Sequence, residues 1–355
     1  ITSDLKFSES NFISIANGST PFNGTLDGNG HIISGYVLGS TTDKTVLIKG
    51  LVGHVGPAGK ISNLKIKDAN ISAYQYAGAL VGELCGAIEN CSSEAEVTTG
   101  SGYAGGLVGV MKLGSSAKNC TNLGTVSTLA GSYTGGIASA CYGSMINCKN
   151  EGTIITYASY GGGLAGSMGG YAINCTNTAE VMATKAASST YLGGLFGQSE
   201  TGAQIIDCSN SGNLTGGKNY VGGIIGTGKG TTALLKENGV TIRGCKNTAD
   251  LSSTGTYLGG IAGSIPASYV IDNCMNSGKL TGSADYMGGI IGAATNGNFL
   301  VNISNCRNEG SLINSTTGKK YIAGITGNAS SNFVARNCIN TGNIETKGYM
   351  LSLIH

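Results

Sequence analysis

Apolar residues fall along this chain in runs of four to six positions, each bounded by Gly, Ser or Asn. No stretch of ten residues keeps a helical 3.6-residue period, and short runs between turn residues read as strands. The runs recur at a fixed distance. Tyr-x-Gly-Gly-(Leu/Ile)-x-Gly stands most cleanly at Tyr103-Ala104-Gly105-Gly106-Leu107-Val108-Gly109, and drifting copies start at Tyr76, Tyr133, Tyr160, Tyr191, Tyr220, Tyr257, Tyr286 and Tyr321. A worn copy starts at Tyr349, nine steps of about 30 residues from Tyr76. Each repeat holds three runs: the glycine-rich one, one around a cysteine, and one around a final Val, Ile or Leu. Three strands in about 30 residues leave no room for crossover helices. The pattern therefore predicts an all-β parallel solenoid of about ten coils, roughly 30 residues each. Residues 1–48 read as opening strands and an N-terminal coil, and 49–355 as one continuous repeat domain. Within 1–48, Pro21 to Gly35 reads as strand, turn, strand, with Asp27-Gly28 and Asn29-Gly30 supplying the turn.

The same alignment assigns the interior. The second anchor is Asn-Cys-x-Asn, as in Asn119-Cys120-Thr121-Asn122. Cysteines at its fixed position are Cys91, Cys120, Cys148, Cys175, Cys208, Cys245, Cys274, Cys306 and Cys338, and in the preceding repeat that place is held by Leu64. A position that accepts Leu is apolar, so these cysteines are expected as buried free thiols. Cys85 and Cys141 stand outside the row, two coils apart, and are not expected to pair. Three residues before each cysteine stand Ile88, Ala117, Met145, Ala172, Ile205, Ile242, Ile271, Ile303 and Ala335, all apolar. The asparagines two residues after, from Asn122 to Asn340, are expected to stack as an amide ladder at a corner. The tyrosines are expected to pack ring on ring. With the cysteines aligned, Glu89 meets Lys118, Arg243 meets Asp272, and Asp250 meets Lys279 in adjacent coils.

Composition narrows the function classes. Of 355 residues 61 are Gly, charged residues are 11%, and the net charge is +2, which argues against a nucleic-acid partner. No apolar run approaches the 18 residues of a membrane span. No basic and apolar leader opens the chain at Ile1, so a signal peptide is expected to have been removed or to lie outside this sequence. A hydrophobic fraction of 40% at fixed places argues against disorder. No Cys-x-x-Cys pair and no recurring Asp turn are present, so no metal and no cofactor are expected.

The repeat, with the opening Pro21-Phe22-Asn23-Gly24-Thr25-Leu26-Asp27-Gly28-Asn29-Gly30-His31-Ile32-Ile33-Ser34-Gly35, resembles bacterial surface proteins carrying the Gly-Leu-x-Gly (GLUG) repeat. The resemblance covers roughly residues 21–355. It implies a right-handed parallel β-helix and an extracellular or cell-surface location. Such repeats occur in adhesin-like proteins and in the non-catalytic part of some immunoglobulin A metallopeptidases. The histidines here are only His31, His54 and His355, with no His-Glu-x-x-His motif, so peptidase activity does not carry over.

A catalytic alternative is a polysaccharide-degrading β-helix, which needs two carboxylates about 5–9.5 Å apart. Acids here are scattered among coils, and the densest group is Glu83, Glu89, Glu94 and Glu96. No catalytic residue is assigned. The reading is a non-catalytic adhesin or binding module for a glycan or a surface protein, with a passive spacer as the third option. Loop lengths locate the binding site. From the last Gly of the glycine run to Cys is 11 residues in one typical coil, Gly109 to Cys120, but 19 from Gly226 to Cys245 and 14 from Gly292 to Cys306. The coil between them is short, with 11 from Gly263 to Cys274. Two long loops flanking a bare coil predict a groove over residues 264–273. Its expected walls are Lys229, Lys236, Glu237 and Asn238 on one side, and Asn296, Asn298 and Phe299 on the other. Phe299 is expected as a stacking face.

Overall fold

The computed structural model of the chain describes residues 1–8, 12–157, 159–184, 190–229, 239–317 and 320–347. Among these, strands are the only regular elements. One turn shows the plan, with strands Gly102–Gly105, Val108–Met111, Ser116–Lys118, Thr121–Asn122 and Val126–Thr128. Each pairs in parallel with its counterparts in the coils before and after, so five sheets of 10 to 12 strands run along the molecule. The fold is a right-handed parallel β-helix of about 11 turns of roughly 29 residues. Segment 1–48 adds the extra turn: Thr25–Asp27, Ile32–Ser34 and Val37–Gly39 pair onto the first repeat. The turn between Asp27 and Ile32 joins strands of two different sheets.

Five strands per coil replace the three expected, for two local reasons. The glycine run bends at Gly106-Leu107. The cysteine run breaks at the residue before Cys, which takes a positive φ: 55° at Asn90, 53° at Asn119 and 52° at Asn273. Asparagine is among the few side chains that tolerate this conformation, and Gly244 (φ 65°) fills the same place in another coil.

The core follows the alignment. Ile88, Ala117, Met145, Ala172, Ile205, Ile242, Ile271 and Ile303 are buried, while Ala335, in the last described coil, is half-buried. All eleven cysteines are free thiols, and those of the row are buried. Burial pushes the Cys141 thiol up to about 12 and holds Cys245 high. The amide ladder forms, with its side chains pointing into the core. Asn122, Asn150, Asn177, Asn210, Asn247, Asn276 and Asn308 each donate Nδ2 to the Oδ1 of the next rung at 2.7–2.9 Å. These seven side chains are fully buried.

The ladder explains the second glycine of the repeat. A Cβ on Gly106 would lie 2.4 Å from the Asn122 amide, and on Gly223 2.4 Å from that of Asn247. The three charge pairs also fall in register. Glu89 faces Lys118, with Nζ 3.8 Å away, and Arg243 faces Asp272. Asp250 takes a 2.9 Å bond from the backbone N–H of Lys279.

Candidate binding groove

The outward row Thr241, Val270 and Asn302 runs in register over three coils and forms the floor of a groove of about 680 Å³. Gly239, the last residue of one long loop, stands at one side; Asn298, Phe299 and Leu300 of the other loop stand opposite. The groove passes over Ser268, Tyr269 and Val270, within the predicted stretch 264–273. Asn332 extends it toward the following coil.

Local bonds hold these parts in place. Asn298 N–H donates to Asn296 Oδ1 at 3.1 Å, closing a tight turn. Asn332 Nδ2 and Ser331 Oγ donate to the Gly297 carbonyl at 2.5 and 3.2 Å, tying the loop to the next coil. Tyr269 turns inward, and its hydroxyl meets Ser199 Oγ, two coils back, at 2.5 Å. A Cβ on Gly228 would lie 2.0 Å from that hydroxyl, so a glycine there makes room for the tyrosine. Burial holds the Tyr269 phenol well above its usual range.

The groove sets an apolar patch, Val270 and Leu300, among polar side chains of its floor and edges. Val270 is 42% exposed and Leu300 48%. Asn298, Asn302 and Asn332 offer donors and acceptors, and no charged side chain lines the described walls. Such a lining suits a ligand with apolar faces and hydroxyl or amide groups.

Several expected wall residues fall elsewhere. Phe299 is 6% exposed: its ring packs into the wall, where burial removes it from water, and presents no stacking face. Asn296 closes the turn and does not line the groove. Lys229 turns to Glu200 at 2.9 Å, beside the tyrosine row. Lys236, Glu237 and Asn238 lie outside the described residues. Thr241, Val270, Leu300 and Asn302 were not foreseen. Their signal was the outward alternation of the strand before each cysteine, read across aligned repeats.

Nine tyrosines from Tyr76 to Tyr321 stack with ring centroids 4.5–5.3 Å apart. Each interior ring spends both faces on its neighbours, which leaves edges and hydroxyls for solvent. The four acids named as a catalytic alternative lie on strands or turns of four different sheets. Glu83 pairs with Lys112 at 3.2 Å, Glu89 with Lys60 at 2.9 Å and Glu94 with Lys67 at 2.8 Å. One further cluster was missed, His54 with Glu83 and Cys85. His54 and Glu83 each follow the last Gly of their glycine run, so repeat alignment stacks them.

No protein-family profile matches the chain. A 99-residue stretch is 38% identical to halomucin of Haloquadratum walsbyi, covering 28% of this chain and 1% of that protein's length. The crystal structure of a Bacteroides ovatus protein provisionally named an immunoglobulin A1 protease aligns over 94% of this chain and 76% of that one. Sequence identity there is 20% and the TM-score 0.34. Among the described residues no helix is long and apolar enough to cross a membrane.

Proposed function

We propose that this chain is a non-catalytic binding module of a bacterial surface protein of the GLUG-repeat kind, an adhesin whose solenoid presents the groove over Ser268–Val270 to a neutral glycan. The observation that carries this reading is the groove's lining. Val270 and Leu300 offer an apolar patch for the C–H face of a sugar, and asparagine amides stand beside it for the hydroxyls. The ion-paired carboxylates of the first repeat, spread over different sheets, favour binding over hydrolysis. A surface location is part of the same proposal. It accords with the repeat's resemblance and with the partial match to halomucin. The test is an array of neutral glycans, acidic glycans and matrix proteins, with reducing-sugar release measured on every polysaccharide retained. Retention of neutral glycans without sugar release supports the reading. Sugar release, or retention only of acidic glycans or proteins, overturns it.

A further inference from the structure

We propose that His54, Glu83 and Cys85 form a binding site for one divalent transition-metal ion of the zinc type, on the outer face of the first coils and away from the groove. An imidazole nitrogen, a carboxylate oxygen and the Cys85 sulfur all lie within 4.8 Å of one another. His54 Nδ1 stands 3.4 Å from Glu83 Oε1, and His54 Nε2 stands 3.9 Å from Cys85 Sγ. Zinc bonds of about 2.0–2.3 Å put tetrahedral donors about 3.3–3.6 Å apart. Nδ1 and Nε2 are two different ring nitrogens and one ion takes only one of them, so gathering that nitrogen, the carboxylate and the thiol from within 4.8 Å of one another takes a closure of up to about 1.5 Å, within reach of side-chain rotation.

The repeat makes this cluster an exception. His54, Glu83, Val110, Ala140, Ser167, Gln198, Thr227 and Ser264 occupy one row, coil upon coil. Only its first two members are metal ligands by type, and Cys85 stands two residues beyond the second. The His54 and Glu83 side chains are only 15% and 19% exposed, so an ion held there is partly shielded from water. Mixed nitrogen, oxygen and sulfur donors select a borderline ion over calcium or magnesium. Three protein ligands leave a fourth position for water.

Charge and protons balance. The thiol's proton leaves to solvent as the metal–sulfur bond forms, one per ion. Thiolate and carboxylate then neutralise the dication. Lys112 Nζ, 3.2 Å from Glu83 Oε2, stays on the carboxylate's second oxygen and orients it. The same three residues in the order thiol, imidazole, carboxylate also suggest a nucleophile. The Cys85 backbone N–H is committed to the Val55 carbonyl at 2.8 Å, so it is not free to stabilise an oxyanion, which favours the metal reading.

The test is equilibrium dialysis of the full chain with Zn²⁺, and with Co²⁺ as a spectroscopic probe. The expected result is one ion per chain, a sulfur-to-cobalt charge-transfer band, and at least a tenfold loss of affinity in both Cys85→Ser and His54→Gln. If either variant misfolds, alkylation of Cys85 in the unaltered protein serves instead, and Zn²⁺ is expected to slow it at least tenfold. No stoichiometric Zn²⁺, a cobalt complex without the sulfur band, or alkylation unaffected by Zn²⁺ overturns the proposal.

Discussion

Ser93 is where the amide row stops short. Every rung from Asn122 onward donates to the next, so each Oδ1 accepts from the rung before. Below Asn122 stands Ser93, and the Asn122 Oδ1 is left buried without a partner. An orphaned buried acceptor costs about 1–3 kcal/mol. Opposite Ser93, the place held elsewhere by the second glycine is Ala79. The two departures belong together: without an amide to accommodate, a Cβ fits. Ser93→Asn alone is expected to destabilise, because its amide would strike the Ala79 methyl. Ala79→Gly alone is expected to destabilise by about 1 kcal/mol through a lost methyl. Together they extend the ladder by one rung and move the orphaned acceptor onto it, above Ile66, so the double variant is expected to recover the stability of the unaltered protein to within about 1 kcal/mol. A double-mutant cycle in denaturant measures this; additive single effects would contradict the linkage.

At the scale of the element, the tyrosine row is a packing device. Tyr191 stacks on Tyr160 and Tyr220 with both centroid distances 4.5 Å and planes within 18°. Its ring supplies contact on two sides. Tyr191→Phe keeps the contact and is expected to change stability by less than about 0.5 kcal/mol. Tyr191→Ala removes two ring pairs and is expected to cost about 3 kcal/mol. Thermal or denaturant unfolding of the two variants separates these outcomes. Equal losses in both would mean that the hydroxyl, and not the ring, supports the corner.

For the whole molecule, the coil, its period and its register were legible because each repeat meets the same neighbours. Glu89 and Lys118 could be paired across 29 positions for that reason alone. The split into five strands was less legible. It depends on the left-handed turn at the residue before each cysteine of the row, asparagine in most coils but Asp207 and Gly244 in two. A groove lies within the stretch that loop lengths pointed to, beside the loop that ends at Leu300, while residues 230–238 of the other loop lie outside the described residues. The groove's lining was not legible. Phe299 turned inward because an apolar ring gains about 2 kcal/mol by leaving water. Lys229 was drawn to Glu200 in the coil before, an attraction that loop length does not encode. The His54, Glu83 and Cys85 cluster escaped because its spacing follows the coil and matches no local motif.

The most direct test of the account is a titration of the retained glycan against the unaltered protein and Val270→Lys. Val270 lies at the centre of the groove floor, outward from the core, between Thr241 and Asn302. A long cationic side chain there fills the apolar patch and should leave packing intact, with stability within about 0.5 kcal/mol. Affinity is expected to fall at least tenfold while the melting temperature holds. Unchanged affinity at unchanged stability would contradict the account and place the binding surface elsewhere on the solenoid.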